Sequence, residues 1–175
     1  QQVGFSSQTK AVLTTLKEAV DNALEIWAHN SAFDRNVSRK HLPGHDWSIE
    51  RWRDTQIQAY EHSLPGSLDK LCEVLGIGED KAKLKEGRQL IQLFCKPRPK
   101  NSKLRRATRE THPEQWAQFI LYTKQDVEAM RESHKKMPKW NYPNNRNELA
   151  YFHLDQKIND RGFTVDTDLV GGALR

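Results

Sequence analysis

Two acids in this sequence stand where they could do chemistry: Asp34, four residues after Asn30, and Asp126, four residues after Tyr122. Carboxylates are the usual hard-oxygen donors for divalent ions such as magnesium. The first acid closes the run Ile26-Trp27-Ala28-His29-Asn30-Ser31-Ala32-Phe33-Asp34. Three apolar residues run straight into a polar turn, which predicts a short buried strand followed by a helical segment. In open α/β sheets, ligands bind outside the carboxyl ends of the strands. The second acid falls on a long predicted helix. At ~100° per residue, Tyr122 and Asp126 share one flank of its apolar stripe, where a helix lines a cleft. Taken singly, neither pattern is specific, because an acid at a strand end or one turn after a tyrosine is common on ordinary surfaces.

The elements that must position these acids are legible from periodicity. Val12, Leu13, Leu16, Ala19, Val20, Ala23 and Leu24 recur at helical spacing ahead of the strand. After the Asn30 turn, a short helix from Phe33 to Lys40 is expected to stop at Pro43-Gly44. A strand near Arg53 and a helix from about Thr55 follow, with Asp54 and Thr55 as its cap. Ser67 is expected to cap a helix carrying Leu68, Leu71, Cys72 and Leu75, and Gly76 suits a left-handed C-terminal residue. A further helix from roughly Glu79 to Cys95 should bury Leu84, Leu90, Ile91 and Phe94, and Pro97 and Pro99 end it. Thr111 and Glu114 read as a capping box, with Pro113 in the first turn, for a helix reaching about Lys136. Its expected buried stripe is Trp116, Phe119, Ile120, Thr123, Val127 and Met130. Residues 137–146 read as a linker by composition, and a last helix runs from Glu148 to about Asp160, ending at Gly162. Phe163 to Asp166 is read as extended, no terminating pattern is seen after it, and there is no internal repeat.

The 175 residues are enough for one domain with a real core. A net charge of +5, 29% charged residues and a mean hydropathy of −0.86 describe a polar chain whose charge favours an anionic partner. Nothing approaches the apolar length of a membrane span, and no signal peptide is visible. Cys72 and Cys95 form neither a CxxC pair nor a disulfide framework, which points to a reduced, cytoplasmic setting. Lys96, Arg98, Lys100, Lys103, Arg105, Arg106 and Arg109 make a basic, proline-containing stretch. It reads either as a solvated loop or as a patch holding phosphates without sequence preference, chiefly through Lys100, Lys103, Arg105 and Arg106.

In this order, Asn30-x-x-Phe33-Asp34 and then Tyr122-x-x-x-Asp126 resemble the second and third exonuclease motifs of the 3′–5′ exonuclease domain in family A DNA polymerases. Leu64 to Cys72, Lys85 to Ile91, and Glu148 to Asp166 look like the phage and prophage members, so the resemblance covers nearly the whole chain. It implies an α/β, RNase H-like exonuclease fold and a two-metal site for Mg²⁺ or Mn²⁺ held by four carboxylates. In such a site one ion generates the attacking hydroxide and the other steadies the leaving oxygen. By the same resemblance Asp34 and Asp126 are metal ligands, and Tyr122 orients the attacking water. His29 and Asn30 shape the turn or touch the terminal nucleotide, and Phe33 is expected to pack more than to contact substrate. The substrate is then a single-stranded DNA 3′ end, and the setting the cytoplasm of a bacterium or phage-infected cell.

The departure from the family is as informative as the match. The first motif of such sites is an Asp-x-Glu on an early strand, and no residue pair before Asn30 supplies it. The one literal Asp-x-Glu, Asp126-Val127-Glu128, cannot substitute, because residues two apart on a helix diverge by ~160–200°. The expectation is therefore a partial exonuclease domain over 1–137, helix-rich because early strands are missing. A linker and helix over 138–175 would lead toward an absent polymerase domain. Lacking two of four acids, the chain alone is expected to be inactive. The competing reading is a non-catalytic DNA-holding scaffold of a polymerase.

Overall fold

Strand β1 (Ile26–Ala28) pairs in parallel with β2 (Trp52–Asp54), in the register Ile26 to Trp52, Trp27 to Arg53 and Ala28 to Asp54. Parallel neighbours need a crossover, and here it is α2 (Ser31–His41) followed by a 3-10 turn at Ile49–Arg51. The computed structural model describes residues 7–78, 81–99, 101 and 106–174. Within them the chain is helix-rich around this two-stranded parallel sheet, an arrangement compatible with the α/β class. Helix α1 (Ser7–Asn22) precedes β1 and delivers Val20 to a small core with Trp47 and Trp52, against which Ile26, Ala28 and Leu42 pack. Burying side chains of this size stabilises by ~1.5–3 kcal/mol each.

The strand-to-helix turn after β1 bends at Asn30, which adopts φ 64° and ψ 54°. Asparagine tolerates this left-handed region better than most residues. The turn starts α2 at Ser31, two residues earlier than periodicity predicts, because a buried carboxylate receives its first amides. Asp54, at the end of β2, accepts from the Asn30 amide at 3.0 Å, the Ser31 amide at 2.7 Å and the Ser31 hydroxyl at 2.9 Å. The same carboxylate caps α3 (Thr55–Glu61) by accepting from the Gln56 amide at 2.8 Å. The cap expected at Asp54 is thus present, and it serves two helices at once.

Helix α4 (Leu68–Val74) follows Ser67, which holds the capping position without a side-chain hydrogen bond, and Gly76 takes the left-handed conformation (φ 62°) expected of it. Helix α5 (Lys81–Cys95) packs on α6 (Pro113–Lys136), which also touches α3 and α4. A second core of Ala59, Leu71 and Met137, flanked by Leu64 and Leu75, joins these helices. The side chains of Val12, Leu13 and Leu84, expected to be buried, are not among those described.

Two expectations for α6 are corrected. Its first turn is not closed by a capping box: His112 is the capping residue, and its side chain makes no capping bond. The Thr111 hydroxyl is engaged instead in the preceding turn, accepting from the Thr108 amide at 2.9 Å and donating to the Thr108 carbonyl at 3.1 Å. Nor is the whole apolar stripe buried. Ala129 and Ser133 are, but Ile120 and Val127 remain 44% and 48% exposed. With Trp116, Phe119 and Thr123 they line an open groove.

Residues 137–146, linker-like in composition, pack tightly: Met137 and Tyr142 are buried, and the Tyr142 hydroxyl accepts from the Asp54 amide at 2.9 Å. Burial pushes the Tyr142 phenol well above its ordinary range. Helix α7 (Arg146–Arg161) then lies against the 3-10 turn and ends at Gly162 with φ 63°. A short α8 (Thr167–Ala173), which periodicity missed, is capped by Asp166 accepting from the Asp168 and Leu169 amides.

Replacing Asp54 by alanine leaves the Asn30, Ser31 and Gln56 donors without their acceptor. An orphaned buried donor costs ~1–3 kcal/mol, so Asp54→Ala should lower unfolding stability by about 3 kcal/mol or more. Urea denaturation of the variant beside the parent chain measures this, and a midpoint unchanged within error would contradict the assigned role.

Candidate functional site

Asp34 sits in the first turn of α2, just past the carboxyl end of β1, on an exposed stretch of the helix. Its carboxyl is raised above its ordinary value. Partial withdrawal from water is the largest cause, its own backbone amide opposes the shift, and the negative charge of Asp54 adds to it. The turn beside it is rigidly built. The His29 ring bridges Thr55 and the Gly66 carbonyl, Nδ1 to Oγ1 at 2.9 Å and Nε2 donating to the carbonyl at 2.9 Å. Of the two roles open to His29, shaping the turn is the one its ring nitrogens perform here. The Asn30 backbone bends the chain, while its side chain makes no capping bond and is exposed. Phe33 does not pack as expected. It is 66% exposed, because the turn residues before it are drawn inward by Asp54 and leave its own face of α2 to solvent.

Asp126 lies half-buried on α6 beside Tyr122, on the flank where the helical spacing predicts both. Its carboxyl is also raised, mainly by burial; a hydrogen bond from Tyr122 opposes the shift and the charge of Asp69 reinforces it. Asp69 comes from the first turn of α4 and pairs with Arg88 of α5 at 3.3 Å. Next to Arg88, the buried Gly87 lies under the Tyr122 ring, so close that a Cβ there would stand 2.2 Å from the ring carbon Cε2. Three helices therefore converge on the Tyr122–Asp126 pair. Gly87 falls in the stretch Lys85 to Ile91, which sequence reasoning recognised only by family likeness; the need for a residue without a Cβ is its physical content.

The two acids are perturbed by different neighbours, Asp34 by Asp54 and Asp126 by Asp69. The sheet meets α6 where Trp27 packs against His134, with ring centroids 4.1 Å apart and the planes tilted by 49°. His134 lies two turns beyond Asp126, ~12 Å along the helix axis. Among the described residues no group of three or more His, Cys, Asp or Glu side chains could hold a metal ion. Asp54, the acid nearest in kind to a missing ligand, has its oxygens committed to backbone and hydroxyl donors. The donor set suits a hard divalent cation in type but falls short in number. Of the basic residues read as a phosphate patch, Arg106 is exposed, and Lys100, Lys103 and Arg105 lie outside the described residues. No described helix is long and apolar enough to cross a membrane.

The raised carboxyls carry a signed consequence for stability. Between the ordinary aspartate value of 3.8 and the raised folded value, the folded chain holds more protons than the unfolded one. Each group's favourable contribution is then complete below 3.8 and lost as pH rises through the raised value. Asp34→Asn and Asp126→Asn should consequently raise the thermal midpoint at pH 7, with the gain fading as pH falls through the raised folded value and gone below 3.8. Thermal melts across that range test it, and a lower midpoint at neutral pH in both variants would refute it.

No protein-family model and no solved structure matches the chain. It is similar to a DNA polymerase of Bacillus phage SP02, with 36% identity over 155 residues that cover 84% of this chain. The match spans 22% of that polymerase's length. Over most of its length, then, this chain is similar to a part of that polymerase.

Proposed function

We propose that this chain carries the second and third motifs of a metal-dependent 3′–5′ exonuclease site within a DNA polymerase, and that the site removes 3′-terminal nucleotides of DNA in proofreading. The observation that carries the reading is the Tyr122–Asp126 pair. It is a half-buried, hydrogen-bonded carboxylate held by three helices, in a polymerase-related chain whose other motif acid stands at a strand end. Perturbed carboxylates in partly shielded positions are characteristic of sites that do chemistry. In this reading Asp34 and Asp126 each give oxygen ligands to Mg²⁺ or Mn²⁺, and Tyr122 steadies Asp126 and the water beside it. Phe33 and Asn30, both exposed at the turn, face the terminal nucleotide of a single-stranded 3′ end. The fold would be the RNase H-like one, with β1 and β2 as part of a larger sheet.

The ions bound by such sites supply the attacking hydroxide and stabilise the leaving oxygen. The described residues do not compose that site by themselves, and in this reading the remaining carboxylates are those of an Asp-x-Glu strand, a motif not found ahead of Asn30. The chain alone is expected to cut nothing. A second reading, a DNA-holding scaffold without catalysis, has in its favour the lack of a third ligand among the described residues.

The test joins an Asp-x-Glu strand of a family A polymerase ahead of this chain and follows end-labelled single-stranded DNA in Mg²⁺. Trimming from the 3′ end should appear and fall by ~10²-fold or more in Asp34→Ala and Asp126→Ala. A joined protein that binds DNA without trimming it would favour the scaffold. Clean, tyrosine-dependent trimming by the present chain would instead show that it needs no further acid. Gly87→Ala should reproduce the loss seen in Tyr122→Phe, since the added methyl displaces the ring; if Gly87→Ala trims at the parent rate, the ring is not held as described.

A further inference from the structure

Immediately after Asp34 in sequence, Arg35 is buried, with 2% of its surface exposed. Its guanidinium grips Asp160, near the end of α7, through two parallel bonds of 2.8 and 2.7 Å, and also reaches the buried Gln156 at 3.5 Å. Arg39, one turn along α2, adds a 3.2 Å contact to the same carboxylate. The fork-to-carboxylate geometry fixes orientation as well as distance. Asp160 is held below the ordinary aspartate range, chiefly by the Arg35 hydrogen bonds.

Helix α2 has only 11 residues, and its N-terminus is fixed at one place, the Asp54 carboxylate. At the other end its cap Leu42 packs into the Trp47–Trp52 core and accepts from the Trp47 ring at 2.9 Å, and a short helix held at its two ends can still roll in part between them. The tip of a helical side chain lies ~5–6 Å from that axis, so a roll of ~10° would move the Asp34 carboxyl by ~1 Å. A misplacement of that size can cost ~10²-fold in rate. Arg35 sits ~100° around the helix from Asp34, and its two-point grip removes the roll. The supporting element is itself braced: His153 of α7 donates to the Trp52 carbonyl at 3.1 Å, and Lys157 pairs with Glu50 at 2.7 Å.

We infer that the Arg35–Asp160 clamp is a positioning device for Asp34, through which α7 sets the geometry of the exonuclease acid. The inference rests on the exonuclease reading given above. Arg35 and Asp160 are positioning residues and touch no substrate.

The experiment uses the joined protein described above, with Arg35→Lys, Asp160→Asn and Asp34→Ala compared for kcat, KM and thermal midpoint. Arg35→Lys keeps the charge and loses the fork. It should lower kcat for 3′-end trimming by ~10-fold, with KM for single-stranded DNA and the thermal midpoint nearly unchanged. Hydrogen exchange of the α2 amides in the present chain should quicken in Asp160→Asn while the β1 and β2 amides keep their protection. If Arg35→Lys and Asp160→Asn keep kcat within twofold while Asp34→Ala abolishes trimming, the clamp inference fails and the exonuclease reading stands. If Asp34→Ala trims normally, the exonuclease reading itself fails and takes the clamp with it. Should Asp160→Asn not fold, Arg35→Lys alone decides between these outcomes.

Discussion

The buried Asp54 carboxylate is the constraint on which the surrounding structure depends. It stands at the end of β2, without a cationic partner among its hydrogen bonds, and is satisfied by amides and a hydroxyl from the beginnings of two helices. Its own amide is taken up by the Tyr142 hydroxyl, from a segment 88 residues away. Removing an ion from water is costly unless every lone pair finds a donor. That condition, once met, leaves few arrangements of β2, α2 and α3 available. The parallel register, the bend at Asn30 and the start of α2 follow from one group's demand for donors.

Much of this was legible in the chain. The strand at Ile26–Ala28, the polar turn, the strand at Trp52–Asp54 and the helix from Thr55 all emerge from local pattern, because each depends on neighbours within a few residues. The flank shared by Tyr122 and Asp126 was legible for the same reason. What escaped depends on distant partners or on competition between local ones. Thr111 reads as a helix cap, but its hydroxyl serves the turn behind it. Arg35 and Asp160 are 125 residues apart, and no periodicity links them. The composition of 137–146 suggests a linker, yet Tyr142 is among the most buried side chains in the described chain. Asp166, read as the end of an extended stretch, caps α8 instead, a helix whose two glycines leave it little local signal.

If the proposed reading holds, the two candidate acids trade stability for readiness. Both are kept partly from water and both face a second carboxylate, so each is less comfortable ionised than it would be in an unfolded chain. Asp54, though more buried than either, is surrounded by donors, whereas Asp34 and Asp126 retain unmet electrostatic demand. Such residues break local rules of stability while their neighbours keep them, and that contrast marks them out. Tyr122, resting on Gly87, supplies a hydrogen bond that eases the charge of Asp126.

The occupied N-terminus of α2 also changes what that end of the helix attracts. Free amides at a helix start, together with its dipole, ordinarily welcome a phosphate. Here the amides of Asn30 and Ser31 already face the Asp54 carboxylate, and Asp34 adds a second negative group within the first turn. The polarity of the helix end is thereby inverted, from a seat for anions to one that repels them and draws cations. In the proposed exonuclease reading, a phosphodiester approaching this turn would meet two negative groups, and a positive ion beside Asp34 would ease its approach.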